Sequence, residues 1–313
     1  MAKMNGEQRR GKAREDEGVS TLFGIPGGTV IHLYDALYDS KLNHILMRHE
    51  QAAAHAADGY ARAGGRPGVC IATAGPGATN LLTGIATANL DSVPLVAITG
   101  QVAQSVIGTD AFQEADMIGA SLPFVKHSFQ LHSVDAIQST VHKAFYIAAS
   151  GRPGPVLIDF PADVQKASGD YQYSTQLDFM GYHPENNYNV ARLDEAVSLI
   201  EHAERPVIFA GGGVVCSGAS ELLTEFALKY EIPVTTTLLG NGAFPESHPS
   251  GLALGMAGMH GPPVANRPPL AAALVVATGS RSSTPTTGPR HTSAPPTTPR
   301  PLALHTHATH THP

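Results

Sequence analysis

No apolar run in this 313-residue chain approaches the roughly 20 residues that span a bilayer. The opening MAKMNGEQRRGKAREDEG has no apolar core, so it does not read as a secretory signal. Only two cysteines occur, Cys70 and Cys216, too few for a disulfide framework. Both lie in or beside apolar strand-like runs and are read as buried reduced thiols of a cytoplasmic protein. Charge is sparse: 15% of residues carry it and the net is −6, which leaves no basic footprint for nucleic acid. What remains is 42% hydrophobic, and the length allows about two domains with real cores.

The most informative stretch runs from Ile45 to Leu90. Ile45-Leu46-Met47 has strand character and ends at Arg48-His49-Glu50. Ala53, Ala56, Ala57 and Tyr60 follow at helical spacing, and Gly64-Gly65 stops the helix. Gly68 to Thr73 reads as a buried strand, Ala74-Gly75-Pro76-Gly77 as a turn, and a helix starts near Thr79 and Asn80. Strand, helix, strand, turn, helix is the pattern of a parallel sheet covered by helices, so the fold class is α/β. Glu50 lies beyond the carboxyl end of a strand, where such folds place chemistry. Small apolar neighbours would desolvate its carboxyl and favour the neutral, hydrogen-donating acid. The plainer alternative is an acidic residue at a helix start, complementing the dipole.

Other signals are weaker. Gly75-Pro76-Gly77-Ala78-Thr79-Asn80 has Asn80 in place of the third glycine of a dinucleotide fingerprint and no Gly-Lys-Ser/Thr after it. Asn80 is equally a helix cap. Val19 to Phe23 is a short strand, the turn through Gly28 follows, and Thr29 to Leu37 is a helix. Leu95 to Thr99 is a buried strand, Val134 to Ala149 an amphipathic helix, and Val156 to Phe160 the strand that closes the domain. Residues 166–190 read as a polar interdomain linker. A second α/β unit follows: helix Leu193 to Ala203, strand Pro206 to Ala210, helix Glu221 to Tyr230, and strands Pro233 to Thr237 and Leu274 to Ala277. Gly211-Gly212-Gly213 after the first of these strands is a weak dinucleotide signature, because Cys216 holds the place of the third glycine. An independent NAD or FAD oxidoreductase would rest on that triplet alone.

RHEQAAAHAADGYAR, GPGATN, DSVPLVAITGQV, IGTDAFQE, VKHSF and SGRPGPVLIDFP occur in one order with close spacing. Together, over Gly18 to Arg281, they resemble the N-terminal half of the acetolactate synthase large subunit, a thiamine-diphosphate enzyme. The resemblance implies a pyrimidine-binding domain at 18–165, a partial FAD-type central domain at 191–281, and a divergent N-terminus at 1–17. It makes Glu50 the residue that hydrogen-bonds the cofactor's aminopyrimidine and promotes its imino form. Gly28 would lie near the thiazolium, Pro76 and Asn80 on the pyrimidine side, and Phe112 and Gln113 beside thiamine and substrate. Thr29 and Lys126 would line the substrate channel. Ser92, Arg152, Gly212, Thr237, Leu238, Gly258, Met259, His260 and Arg281 would face FAD. Taken alone, Phe112 and Gln113 are loop residues, Lys126-His127 a solvated edge and Arg152 a turn residue.

The implied reaction joins pyruvate to a second 2-oxo acid such as 2-oxobutanoate in branched-chain amino acid biosynthesis. A homodimer or tetramer and a regulatory small subunit are the expected partners. In this family Mg²⁺ and the diphosphate sit in a C-terminal domain with a Gly-Asp-Gly motif, which is found nowhere in these 313 residues. The isolated chain is therefore expected to be inactive, no more than a fragment able to dimerise. Another thiamine-dependent decarboxylase or carboligase is the runner-up, and AFQE with VKHSF favours acetolactate synthase. Residues 282–313, rich in Pro, Thr, Ser and His, have the composition of a reading frame shift and are expected to be disordered. Of their histidines, His305, His307, His310 and His312 are at most weak metal ligands.

Overall fold

A computed structural model describes residues 3–5, 17–170, 179, 181–184, 190–281 and 300–304. Two compact units divide the chain, Met1–Pro184 and Glu185–Pro313.

The first unit contains, in order, β1 (Lys3–Asn5), β2 (Thr21–Gly24), α1 (Ile31–Tyr38), β3 (Asn43–Leu46), α2 (Glu50–Gly64), β4 (Gly68–Ala72), α3 (Pro76–Thr79) and α4 (Leu82–Asp91). Then come β5 (Leu95–Gln101), α5 (Met117–Ser121), β6 (His127–Gln130), α6 (Ile137–Ala149), β7 (Pro155–Pro161), α7 (Ala162–Lys166) and β8 (Ser168–Asp170). Six strands form one sheet in the order β3-β2-β4-β5-β7-β6, every neighbouring pair parallel. The reason is visible in the sequence: GVCIA, LVAITGQ and PVLIDFP are buried at every position, as strands covered on both faces must be. Alternate side chains feed two cores. Val69, Ile71, Val96 and Ile98 pack with residues of α1 and α6, and Cys70, Ala72, Leu95 and Ala97 with the alanines of α2 and Ile85 of α4. The alanines let α2 lie close to α4, where a Cβ on Gly84 would come within 2.4 Å of Ala54 Cβ. Gly65 ends α2 in the left-handed region at φ 65°, as expected of a helix C-terminus.

Three expectations change here. Val156 to Phe160 is the last strand of the six-stranded sheet in sequence but not its edge in space, because β6 lies outside β7. β6 was not foreseen, since His-Ser-Phe-Gln offers no apolar run to read. Nor is the supposed linker wholly outside the domain: β8 pairs antiparallel with β1, and Phe179 and Tyr182 pack against the first core. So part of 1–17 and part of 166–190 belong to this unit. Residues 1–2, 6–16, 171–178, 180 and 185–189 lie outside the described residues.

The second unit contains α8 (Val190–Glu201), β9 (Pro206–Ala210), α9 (Gly212–Cys216), α10 (Ser220–Lys229), β10 (Val234–Thr236), β11 (Ala253–Met256), α11 (Pro263–Ala271), β12 (Leu274–Thr278) and β13 (Arg300–Leu304). Its sheet is also parallel, in the order β11-β10-β9-β12-β13. Ile208, Val214, Leu223, Ile232, Val234, Phe244, Leu274 and Val276 form its core. Cys216 is exposed at the end of α9, not buried: the turn after Gly211 starts a helix there, and its periodicity turns the sulfur outward. Within the tail expected to be disordered, Arg300–Leu304 pairs with β12 along five residues. Residues 282–299 and 305–313, with the four tail histidines, lie outside the described residues. Among the described residues no helix is long and apolar enough to cross a membrane.

Candidate active site

All six sheet strands of the first unit point the same way, so the loops after β2, β4 and β5 emerge at one edge. Glu50 sits beside this edge as the first residue of α2, with His49 as N-cap accepting Gln51 N–H at 3.1 Å. Both readings of Glu50 therefore meet in one residue, a helix-start carboxylate that also faces the candidate site. Asn80 does not cap the next helix. Its Nδ2 donates to Glu50 Oε2 at 3.0 Å, across thirty residues of sequence. A side-chain partner that fixes a carboxylate is stronger evidence for a site than a cap.

The other carboxylate oxygen, Oε1, lies toward the glycine turn: a Cβ on Gly77 would come 3.3 Å from it and 2.7 Å from Thr73 Cγ2. Gly75, at φ 64°, has a second reason to be glycine, because a Cβ there would lie 2.8 Å from Gln113 O. The result is a floor of bare backbone next to an oriented carboxylate. Thr29 ties this edge together. Its Oγ1 meets Thr73 Oγ1 at 3.0 Å and accepts Ala74 N–H at 2.8 Å, linking the loops after β2 and β4. Gly28, one residue earlier, opens the turn leading into α1, and Pro76 opens α3.

The loop bearing Phe112 and Gln113 closes against this floor. Phe112 is 89% exposed, and Gln113 is held at φ 61°, rare for a residue with a side chain. Lys126 is not on a solvated edge. Its ammonium donates to the carbonyls of Ile147 and Ser150 (2.7 Å for the latter) and to Tyr182 Oη (3.0 Å), capping the carboxyl end of α6. Burial, then the nearby Arg152, pull its pKa down to about 8. Ser92 and Arg152 come together away from Glu50: Arg152 Nε donates to Ser92 Oγ at 2.7 Å and Nη2 to Asn89 O at 3.0 Å.

The remaining predicted residues lie on the carboxyl edge of the second unit's sheet. Strand order reverses at β9, whose neighbours are β10 and β12, and ligands of open α/β sheets bind at such switch points. The loops there are locked: Gly213 N–H donates to Gly279 O at 2.9 Å and Thr237 Oγ1 accepts Gly240 N–H at 3.1 Å. Asn266 grips Gly258 through both its N–H and its C=O. Gly212 opens α9, and His260 and Arg281 are exposed. Leu238 and Met259, 69% and 73% exposed, leave apolar surface on this edge.

Sequence reasoning passed over Thr73, Gln101, Glu114 and Asp159. Asp159 is fully buried between β5 and β6, accepting Thr99 Oγ1–H at 2.7 Å and the amides of Gln101 (3.1 Å) and Gln130 (3.3 Å). Burial pushes its carboxyl above the usual range, and the three donors oppose that. An acidic residue inside VLIDFP was the signal available, since a charge in a doubly buried strand needs partners.

Comparison with known proteins now bears on this geometry. The profile of the thiamine pyrophosphate enzyme N-terminal TPP binding domain matches residues 4–120, and that of the thiamine pyrophosphate enzyme central domain matches 193–310. A probable acetolactate synthase large subunit of Methanocaldococcus jannaschii is 53% identical over 288 residues, 91% of this chain and 48% of the relative. The acetolactate synthase large subunit of Corynebacterium glutamicum is 49% identical over 294 residues, 94% of this chain and 47% of the relative. An acetolactate synthase of Mycobacterium bovis is 47% identical over 296 residues, 94% of this chain and 48% of the relative. The chain thus spans about half the length of the curated relatives it matches. The matched spans also run past Gly18 and Arg281, so the outer stretches that looked divergent share in the likeness. The chain belongs to the thiamine pyrophosphate enzyme family, of which it carries the N-terminal and central domains, and over that length it is similar to acetolactate synthase large subunits.

Proposed function

We propose that these residues form the pyrimidine-binding half of an acetolactate synthase active site, together with a central domain that takes FAD. The observation carrying this reading is the Glu50 carboxylate, held by Asn80 and turned toward the bare backbone of Gly77. Thiamine diphosphate, when bound, supplies the nucleophilic carbon that attacks a 2-oxo acid such as pyruvate. Glu50 would offer Oε1 to hydrogen-bond the ring and exchange a proton with it, Asn80 keeps the carboxyl plane fixed, and the Gly75–Gly77 backbone admits a flat ring beside it. Phe112, Gln113 and Thr29 shape the approach of the 2-oxo acid; Lys126, just before β6 and beside Arg152, stands at the other edge of this sheet.

The diphosphate and Mg²⁺ fit these residues poorly. No Gly-Asp-Gly occurs, and among the described residues no group of three His, Cys, Asp or Glu is placed to hold a metal ion. FAD fits better, against Leu238, Met259, Gly212, Thr237, Gly258, His260 and Arg281 on the carboxyl edge of the second unit's sheet. The relatives' designation as large subunits supports a small-subunit partner; a homo-oligomer and a cytoplasmic, branched-chain biosynthetic role rest on the family resemblance.

Titration calorimetry with thiamine tests the reading. Losing one charge-assisted hydrogen bond costs about 1.5–3 kcal/mol, which lowers affinity roughly tenfold to a hundredfold. Glu50→Ala should show that loss; equal affinity in the two chains would sink the assignment. Given pyruvate, thiamine diphosphate and Mg²⁺, the 313-residue chain alone should form no acetolactate.

A further inference from the structure

Glu114 is absent from every role described so far, yet the loop beside the site is folded around it. The backbone N–H groups from Gly108 to Ala111 turn toward its carboxylate, which accepts Gly108 N–H and, at 3.0 Å, Ala111 N–H. Those two donors, Gly108 first, hold its carboxyl below the usual range. Successive N–H groups of this kind form a nest for an anion. Here the anion is built into the chain, three residues further on.

The nest explains the backbone that follows. Asp110 and Gln113 stand at φ 59° and 61°, a region that residues with side chains leave unless held. The exit of the loop is pinned as well: Gln101 Nε2 donates to Ala115 O at 2.9 Å, while Gln101 Oε1 accepts Val102 N–H at 2.9 Å. Between these two anchors, the Gln113 backbone rests on Gly75 so closely that no Cβ fits there. Gly75 leads directly into α3, and Asn80 at the end of α3 holds Glu50.

We propose that Glu114 is a positioning residue, whose carboxylate fills the 108–111 nest and so fixes Gln113 against the Gly75 turn as a wall of the pyrimidine site. The proposal rests on the thiamine reading above. Amide hydrogen exchange and thiamine titration on the whole chain test it. Glu114→Gln keeps the size but sets an NH₂ group against N–H donors. The Gly108 and Ala111 amides should then exchange at least tenfold faster and thiamine affinity should fall about tenfold, with far-UV circular dichroism unchanged. Glu114→Asp, which keeps the charge, should recover part of both. Glu50→Gln should lose affinity and leave the loop amides protected. Protected amides, or undiminished affinity, in Glu114→Gln overturn the proposal and leave the thiamine reading standing. A wild-type chain that binds no thiamine overturns that reading, and the proposal with it. The wild type also decides without any variant: free exchange at Gly108 and Ala111 overturns the nest.

Discussion

The two cysteine sulfurs differ sharply in their surroundings. Cys70 lies in β4 with no exposed surface, and burial pushes its thiol up to about 12, so no thiolate is available near neutral pH. Cys216 is exposed at the end of α9. Iodoacetamide on the native chain should modify Cys216 alone, and both should react in urea; mass spectrometry distinguishes the outcomes, and rapid native labelling of Cys70 would contradict the fold. The same contrast shows what the sequence reveals at this scale. Both cysteines adjoin apolar runs, but only one run is a strand; the other is opened by three glycines into a helix. Glu50 was readable because it sits where a strand ends and a helix begins. Glu114 was not, since its role depends on four upstream N–H groups that only the folded loop turns toward it.

At the scale of elements, strands with apolar side chains on both faces announced themselves, and of the edge strands only β3 did, through Ile45 and Leu46. β5 is buried at all seven positions, while β3 at the edge leaves Ile45 and Leu46 partly in water. Ile98→Ala should destabilise the first unit by about 2–5 kcal/mol, as other large-to-small core changes do. Ile45→Ala should cost under about 1 kcal/mol, because an exposed side chain loses little burial. Urea titrations of the two variants test the difference, and equal losses would mean that the strand order is wrong. β6, β11 and β13 are short, polar or interrupted by glycine or proline, so periodicity had nothing to detect. α11 was missed for a related reason: Pro268 and Pro269 lie inside it, and proline ordinarily marks a helix end.

The whole molecule consists of two units, each with its own parallel sheet and its own core. Calorimetry should resolve two unfolding transitions, of which Ile98→Ala lowers only one; a single transition shifted as a whole would show that the units unfold together. The order of helices and strands was enough to foresee an α/β chain in two parts. The extent of each part was not, because the sequence between them is polar whether it packs, as Tyr182 does on Lys126, or not.

Phe112 has a practical use as well as a proposed place at the site. The chain contains no tryptophan, so its indole fluorescence background is nil. Phe112, at the tip of the loop beside Gly75 and almost wholly in water, accepts a larger ring without disturbing the core. Phe112→Trp therefore gives this loop the single indole of the molecule, which can be excited to the red of its nine tyrosines. Its spectrum would report the polarity around this loop as a ligand enters, with no label attached and no second indole to subtract.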